Sequence, residues 1–224
     1  YTEEQRDYVV RNLHIGAIHG RSMSNMWVWA KSYEEGNVFA DSILFRPDVL
    51  AGISDITMDM NRNSYEIAAL QNAEREVGIL YSDASIISNV STPYAVYQTY
   101  AACMYNGKAI KFIYPSQLGS MNDVKVLFVP KKTHVVAETL DYISDYIKSG
   151  GKVVIIGSDS LKKNEYGYDL DAEKIRFIYD NSQVIEYSGA NDKIENMTET
   201  EYYQKIREAL KSNGLYNVAI KDSK

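Results

Sequence analysis

Between residues 76 and 157 the chain alternates short apolar runs with stretches in which apolar positions recur every three or four residues. Val77-Gly78-Ile79-Leu80-Tyr81, residues 109–114, residues 124–129 and residues 152–156 read as strands. Thr92 and Pro93 mark the start of one helix and Asn106-Gly107 its stop. A second helix carries Val136, Leu140, Ile143 and Ile147 as one apolar stripe and ends at Gly150-Gly151. Strand, helix, strand, strand, helix, strand predicts an α/β fold with an open parallel sheet, and the unbroken apolar run at 124–129 suits a strand covered on both faces.

Downstream the pattern is less regular. Residues 159–171 are polar and read as a loop, and residues 175–179 and 184–187 as short strands, with a hairpin as one pairing. Thr198 with Glu201 spells a capping box for a helix lined by Tyr203, Ile206 and Leu210. Asn213-Gly214 closes that helix before a last strand at 216–220.

Upstream the pattern is mainly helical. Thr2 caps a helix whose first turn holds Glu3 and Glu4, favourably placed against the helix dipole. Met26-Trp27-Val28-Trp29 reads as a short buried strand with both indoles on one face. After a polar loop with Lys31, Glu34 and Glu35, Pro47 opens one long amphipathic helix through Val49, Ile53, Ile56, Met60 and Ile67. A single strand has no sheet to join, so this segment needs partners. The expected division is 1–72, helix-strand-helix, and 73–224, the α/β domain.

The chain's 224 residues, 45% hydrophobic and 24% charged, are enough for one sizeable folded core with an appendage. A formal charge of -6 and the lack of a long Lys/Arg cluster argue against nucleic acid as a partner. No apolar run nears the roughly 18 to 20 residues that a membrane helix needs, so a soluble protein is expected, its compartment open. A chain that opens at Tyr1 instead of Met reads as a piece of something longer. The 19 tyrosines, Tyr94, Tyr97, Tyr100, Tyr105, Tyr142, Tyr146, Tyr202 and Tyr203 among them, suit half-buried helix faces and subunit contacts.

Candidate chemistry is sparse. Cys103 is the one cysteine, which excludes an internal disulfide, and it falls inside a helix, where a packed thiol is the expectation. His14 and His19 are off the spacing that puts two ligands on one helix face. Asp169-Leu170-Asp171 lacks the glycine and distal glutamate of a calcium loop. His134 has no identifiable nucleophile to serve. Ligands of open α/β sheets sit beyond the carboxyl ends of the strands, here residues 82–91, 116–121, 131–135 and 158–163. Ser82, Asp83, Ser85 and Ser88 could face an anion there, yet the loop lacks the glycines of a phosphate cradle. The Asn89 and Asn196 glycosylation tripeptides read as incidental. No cofactor or metal is expected.

The run from 76 to 157, with Val77-Gly78-Ile79-Leu80-Tyr81, Val124-Lys125-Val126-Leu127-Phe128-Val129-Pro130 and Val153-Val154-Ile155-Ile156, resembles the glutamine-amidotransferase-like domain of family 42 beta-galactosidases. His19-Gly20, the Trp27-Val28-Trp29 strand and the helix from Pro47 resemble the last helix, strand and closing helix of that family's TIM-type barrel. The resemblance implies a flavodoxin-like, class I amidotransferase-like parallel sheet with helices on both faces, and a trimerisation role without amidotransfer, since no Gly-x-Cys-x-Gly elbow exists. It places the paired catalytic carboxylates upstream of this chain, so catalysis is not carried to Glu34 or Glu35. What it does carry over is a sugar platform, with Trp29 first and Trp27 second, because indoles stack on the apolar faces of pyranose rings. The expectation is a non-catalytic assembly region of a carbohydrate-active protein, trimeric as in that family. The alternative is a flavodoxin-like module binding a small molecule or anion at residues 82–91.

Overall fold

The computed structural model describes residues 3–21, 23–25, 46–120, 123–187 and 194–215. The chain divides into two compact units, Tyr1–Ala73 and Glu74–Lys224. Residues 26–45, with the expected tryptophan strand, and 216–220, with the expected last strand, lie outside the described residues.

The first unit contains α1 (Glu3–Ile18), α2 (Pro47–Arg62) and α3 (Ser64–Gln71). Glu3 and Glu4 occupy the first turn of α1, and Pro47 the first turn of α2, where its missing N–H costs nothing. Leu13 of α1 packs with Val49, Ile53 and Ile56 of α2. Gly52 permits that approach: a Cβ there would lie 2.9 Å from Arg6 Cγ and 3.1 Å from Val10 Cγ2. The single long helix expected from Pro47 is instead two helices. Asn63 leaves helical geometry (φ -98°, ψ 24°) and its Nδ2 donates to the Asp59 carbonyl at 2.9 Å, the local competition by which asparagine ends helices. Beyond the break α3 buries no residue.

Among its described residues the second unit holds a five-stranded parallel sheet of β1 (Val77–Leu80), β2 (Ile110–Ile113), β3 (Val126–Pro130), β4 (Lys152–Ile156) and β5 (Gln183–Ile185), in the order β2-β1-β3-β4-β5. This is the flavodoxin-like, doubly wound order, as the α/β expectation required. β1 pairs with both β2 and β3, Val77 standing opposite Ile110 and Val126, so the strand order reverses beside it. Its helices are α4 (Asp83–Ser88), α5 (Ser91–Tyr105), α6 (Glu138–Lys148), α7 (Ala172–Asp180) and α8 (Glu201–Ser212). Alternation along the strands sorts the core into two layers. Val77, Ile79, Val126, Phe128, Val154 and Ile156 pack with α5 and α8, whereas Leu80, Leu127, Val129, Val153 and Ile155 pack with α6 and with Ile178 of α7. Every residue of β3 is buried, as its unbroken apolar run predicts.

Three expectations change. Residues 175–179 are helical: the Asp171 side chain caps α7 by accepting from the amides of Glu173 (2.9 Å) and Lys174 (3.1 Å), and β5 pairs parallel to β4, so no hairpin forms. The cap of α8 is Thr200, whose Oγ1 accepts from the Tyr203 amide at 3.1 Å, not Thr198. Part of the stretch read as a serine loop is α4, capped by Ser82. Among the described residues, no helix is long and apolar enough to cross a membrane.

Candidate functional site

A doubly wound sheet offers its ligand crevice where strand order reverses, here at the carboxyl ends of β1 and β3. Tyr81, Ser82 and α4 follow β1, and residues 131–135 follow β3. The chain's own groups fill this place. Ser82 Oγ donates to the His134 carbonyl at 2.9 Å. Ser85 Oγ donates to the same carbonyl and accepts from the His134 amide at 3.1 Å. Thr92 Oγ1 donates to the Lys131 carbonyl at 2.7 Å. Two of the hydroxyls expected to face an anion, those of Ser82 and Ser85, thus satisfy the backbone of the neighbouring loop, which would otherwise be buried unpaired.

Lys131 takes the position a nucleophile elbow would occupy, immediately after β3, and its φ of 47° is the left-handed geometry such turns use. Its side chain turns to Asp159, with Nζ 2.8 and 2.7 Å from the two carboxylate oxygens. The approach is close enough that a Cβ on Gly157, itself at φ 86°, would sit 2.6 Å from Lys131 Cδ. An ion-paired lysine is no nucleophile for acyl transfer, and Cys103 is buried in α5, where desolvation pushes its thiol up and keeps it protonated.

Lys132 is the unexpected residue. It is 0% exposed, and its Nζ has no hydrogen-bond partner among the described residues. The ammonium position lies 5.6 Å from the centre of the Tyr81 ring. Burial pushes the amine down to about 7, against a smaller upward pull from Asp83. Tyr81 in turn is pushed above the usual phenol range by burial, then by Asp83 and Tyr114. A Lys-Lys dipeptide after a strand reads as a solvated loop, so sequence reasoning had no signal for this burial.

The remaining candidates are structural. His134 Nδ1 lies 3.0 Å from Thr133 Oγ1. His14 is on α1 and His19 just beyond it, and no group of three metal-ligating side chains gathers among the described residues. Asp169 pairs with Lys163 at 2.7 Å and Asp171 caps α7. Trp27, Trp29, Glu34 and Glu35 lie outside the described residues. Two grooves, of about 360 Å³ beside Arg207 and Lys211 and about 510 Å³ beside Ile175 and Tyr179, are lined by none of Ser82, Lys132 or His134.

No family model matches the sequence, and no curated protein does. Solved structures do match in fold, and the chain resembles family 42 beta-galactosidases. The apo exo-carrageenase GH42 from Bacteroides ovatus superposes with a TM-score of 0.67 at 21% identity over 94% of this chain and 28% of that one. A catalytic mutant of a GH42 beta-galactosidase from G. stearothermophilus gives 0.52 at 17% identity, covering 76% and 27% of the two chains. The beta-galactosidase from the psychrophilic Marinomonas ef1 gives 0.52 at 11%, covering 76% and 28%. The chain therefore spans less than a third of the length of each of these three structures.

Proposed function

We propose that this chain is the non-catalytic assembly and support region of a glycoside-hydrolase-like protein acting on carbohydrate. The observation that carries the reading is the likeness in fold to the exo-carrageenase, which runs through 94% of this chain yet takes in 28% of the larger one. On this reading residues 1–72 are the end of a TIM-type barrel and residues 73–224 an amidotransferase-like domain that has given up chemistry. The filled crevice at β1 and β3 supports the second part, because the hydroxyls of Ser82 and Ser85 are spent on the His134 backbone. Trp29 first and Trp27 second are the residues proposed to meet sugar. The partners are carbohydrate and further copies of the chain in a trimer, with no nucleic acid.

The test uses nitrophenyl galactoside and carrageenan oligosaccharides with the purified chain, alongside light scattering. No turnover and a trimeric mass are expected. Turnover that a Trp29→Ala variant loses would overturn the non-catalytic assignment, and a strict monomer at high concentration would overturn assembly.

A further inference from the structure

Residues 131–135 are gripped from two sides. From the α4 side, Ser82 and Ser85 hold the carbonyl and amide of His134. From the stretch after β4, the Leu161 amide donates to the Lys132 carbonyl at 2.7 Å and the Lys163 amide to the Thr133 carbonyl at 3.1 Å, while the Val135 amide donates to the Lys163 carbonyl at 3.0 Å. Inside the grip lies Lys132, fully buried, with no acceptor for its Nζ among the described residues. The Tyr81 ring face and the Asp83 carboxylate favour a cation there but give it no hydrogen bond. Other charges of these segments are engaged elsewhere, Lys131 with Asp159 and Lys163 with Asp169.

We propose that residues 131–135 form a proton-operated latch, locked to α4 and to residues 161–163 while the Lys132 amine is neutral and released when that amine takes up a proton. A buried ammonium without acceptors is costly, and an open segment returns it to water. Lys131, held at φ 47°, adds backbone strain that opening relaxes. The closed amine titrates near 7 and an open one near the ordinary lysine value of about 10.4. Between these values the closed form binds fewer protons, so rising pH favours it by about tenfold per pH unit, and below about 7 the ratio levels off. The latch does not depend on the assembly reading.

Native-state proteolysis with subtilisin at pH 7.5, 8.5 and 9.5, its cuts mapped by mass spectrometry and its rates normalised to an unstructured peptide, reads the open fraction. Cleavage within 131–135 and 158–163 is expected to slow by about tenfold per pH unit in the native protein, and to be slow and flat in Lys132→Met. Equal pH dependence in both proteins, or none in the native one, would overturn the latch. Should Lys132→Met fail to fold, the native protein decides: cleavage at 131–135 that slows as pH rises, together with a carbon NMR titration of Lys132 Cε whose midpoint falls below the ordinary lysine value, supports the latch, and pH-independent cleavage or an ordinary lysine midpoint refutes it.

Discussion

Tyr202 of α8 and Thr99 of α5 share a hydrogen bond of 2.7 Å between their hydroxyls, with both residues at 0% exposure. Thr99 Oγ1 also lies 2.6 Å from the Ala95 carbonyl, so the threonine has a second partner, whereas among the described residues the phenol has no other. Removing the two groups should therefore cost different amounts. Tyr202→Phe is expected to lose about 1 kcal/mol, because Thr99 falls back on its own helix. Thr99→Val should lose about 1–3 kcal/mol by stranding a buried phenol. Urea unfolding of both variants checks the order, and equal losses would contradict it.

Global stability should rise with pH above neutrality. Burial lowers the Lys132 amine to about 7 in the folded state, so the unfolded chain binds more protons from there up to the ordinary lysine range. The slope is expected to approach 1.4 kcal/mol per pH unit and to vanish in Lys132→Met, which should be the more stable protein at pH 7. Tyrosines act in the opposite sense at higher pH. Tyr146 and Tyr179 are pushed up to about 12 by burial, so the unfolded chain ionises first and stability falls once pH passes about 10. Denaturant midpoints from pH 6 to 11 should trace a maximum near the crossing of these two effects.

The helix cap separates two neighbouring threonines. Thr200→Ala should destabilise by about 1 kcal/mol through loss of the bond from the Tyr203 amide. Thr198→Ala, at an exposed side chain that caps nothing, should stay within about 0.5 kcal/mol of the native value. Thermal midpoints of the two variants suffice.

Gly151 stands against the ring of Tyr146, and a Cβ there would lie 2.3 Å from Tyr146 Cζ. That ring is not free to swing away, since its hydroxyl donates to the Val124 carbonyl at 3.1 Å. Gly151→Ala is expected to cost about 1–3 kcal/mol through overpacking, and a Tyr146→Phe background should recover part of it by releasing the ring. A full double-mutant cycle in urea measures the recovery.

The sheet was legible because its strands carry a period and its helices carry stops. Val77 and Lys152 begin strands where the apolar runs put them, and β3 begins at Val126, two residues inside the run expected from 124. Residues 175–179 misled because Ile175, Ile178 and Tyr179 fit a helix while their β-branched and aromatic character favours a strand; Asp171 was the signal that decides it. Asn63 hid a break inside a continuous apolar stripe. The crevice was beyond local reading altogether. The partner of Ser82 and Ser85 is the backbone of His134, 52 and 49 positions away, and only the completed sheet brings them together.

A filled crevice is also a mould. Lys132 occupies, with its four-carbon stem and amine, the point at which this class of sheet opens to small molecules. Trimming it to alanine would leave a void shaped like an alkylamine beneath the Tyr81 ring, walled by backbone that Ser82, Ser85 and Leu161 already hold in place. The lysine that stoppers the fold thereby defines the outline of its own missing side chain, three carbons and an amine beyond the Cβ that alanine keeps, so that an exogenous propylamine-sized molecule is the expected chemical replacement for it.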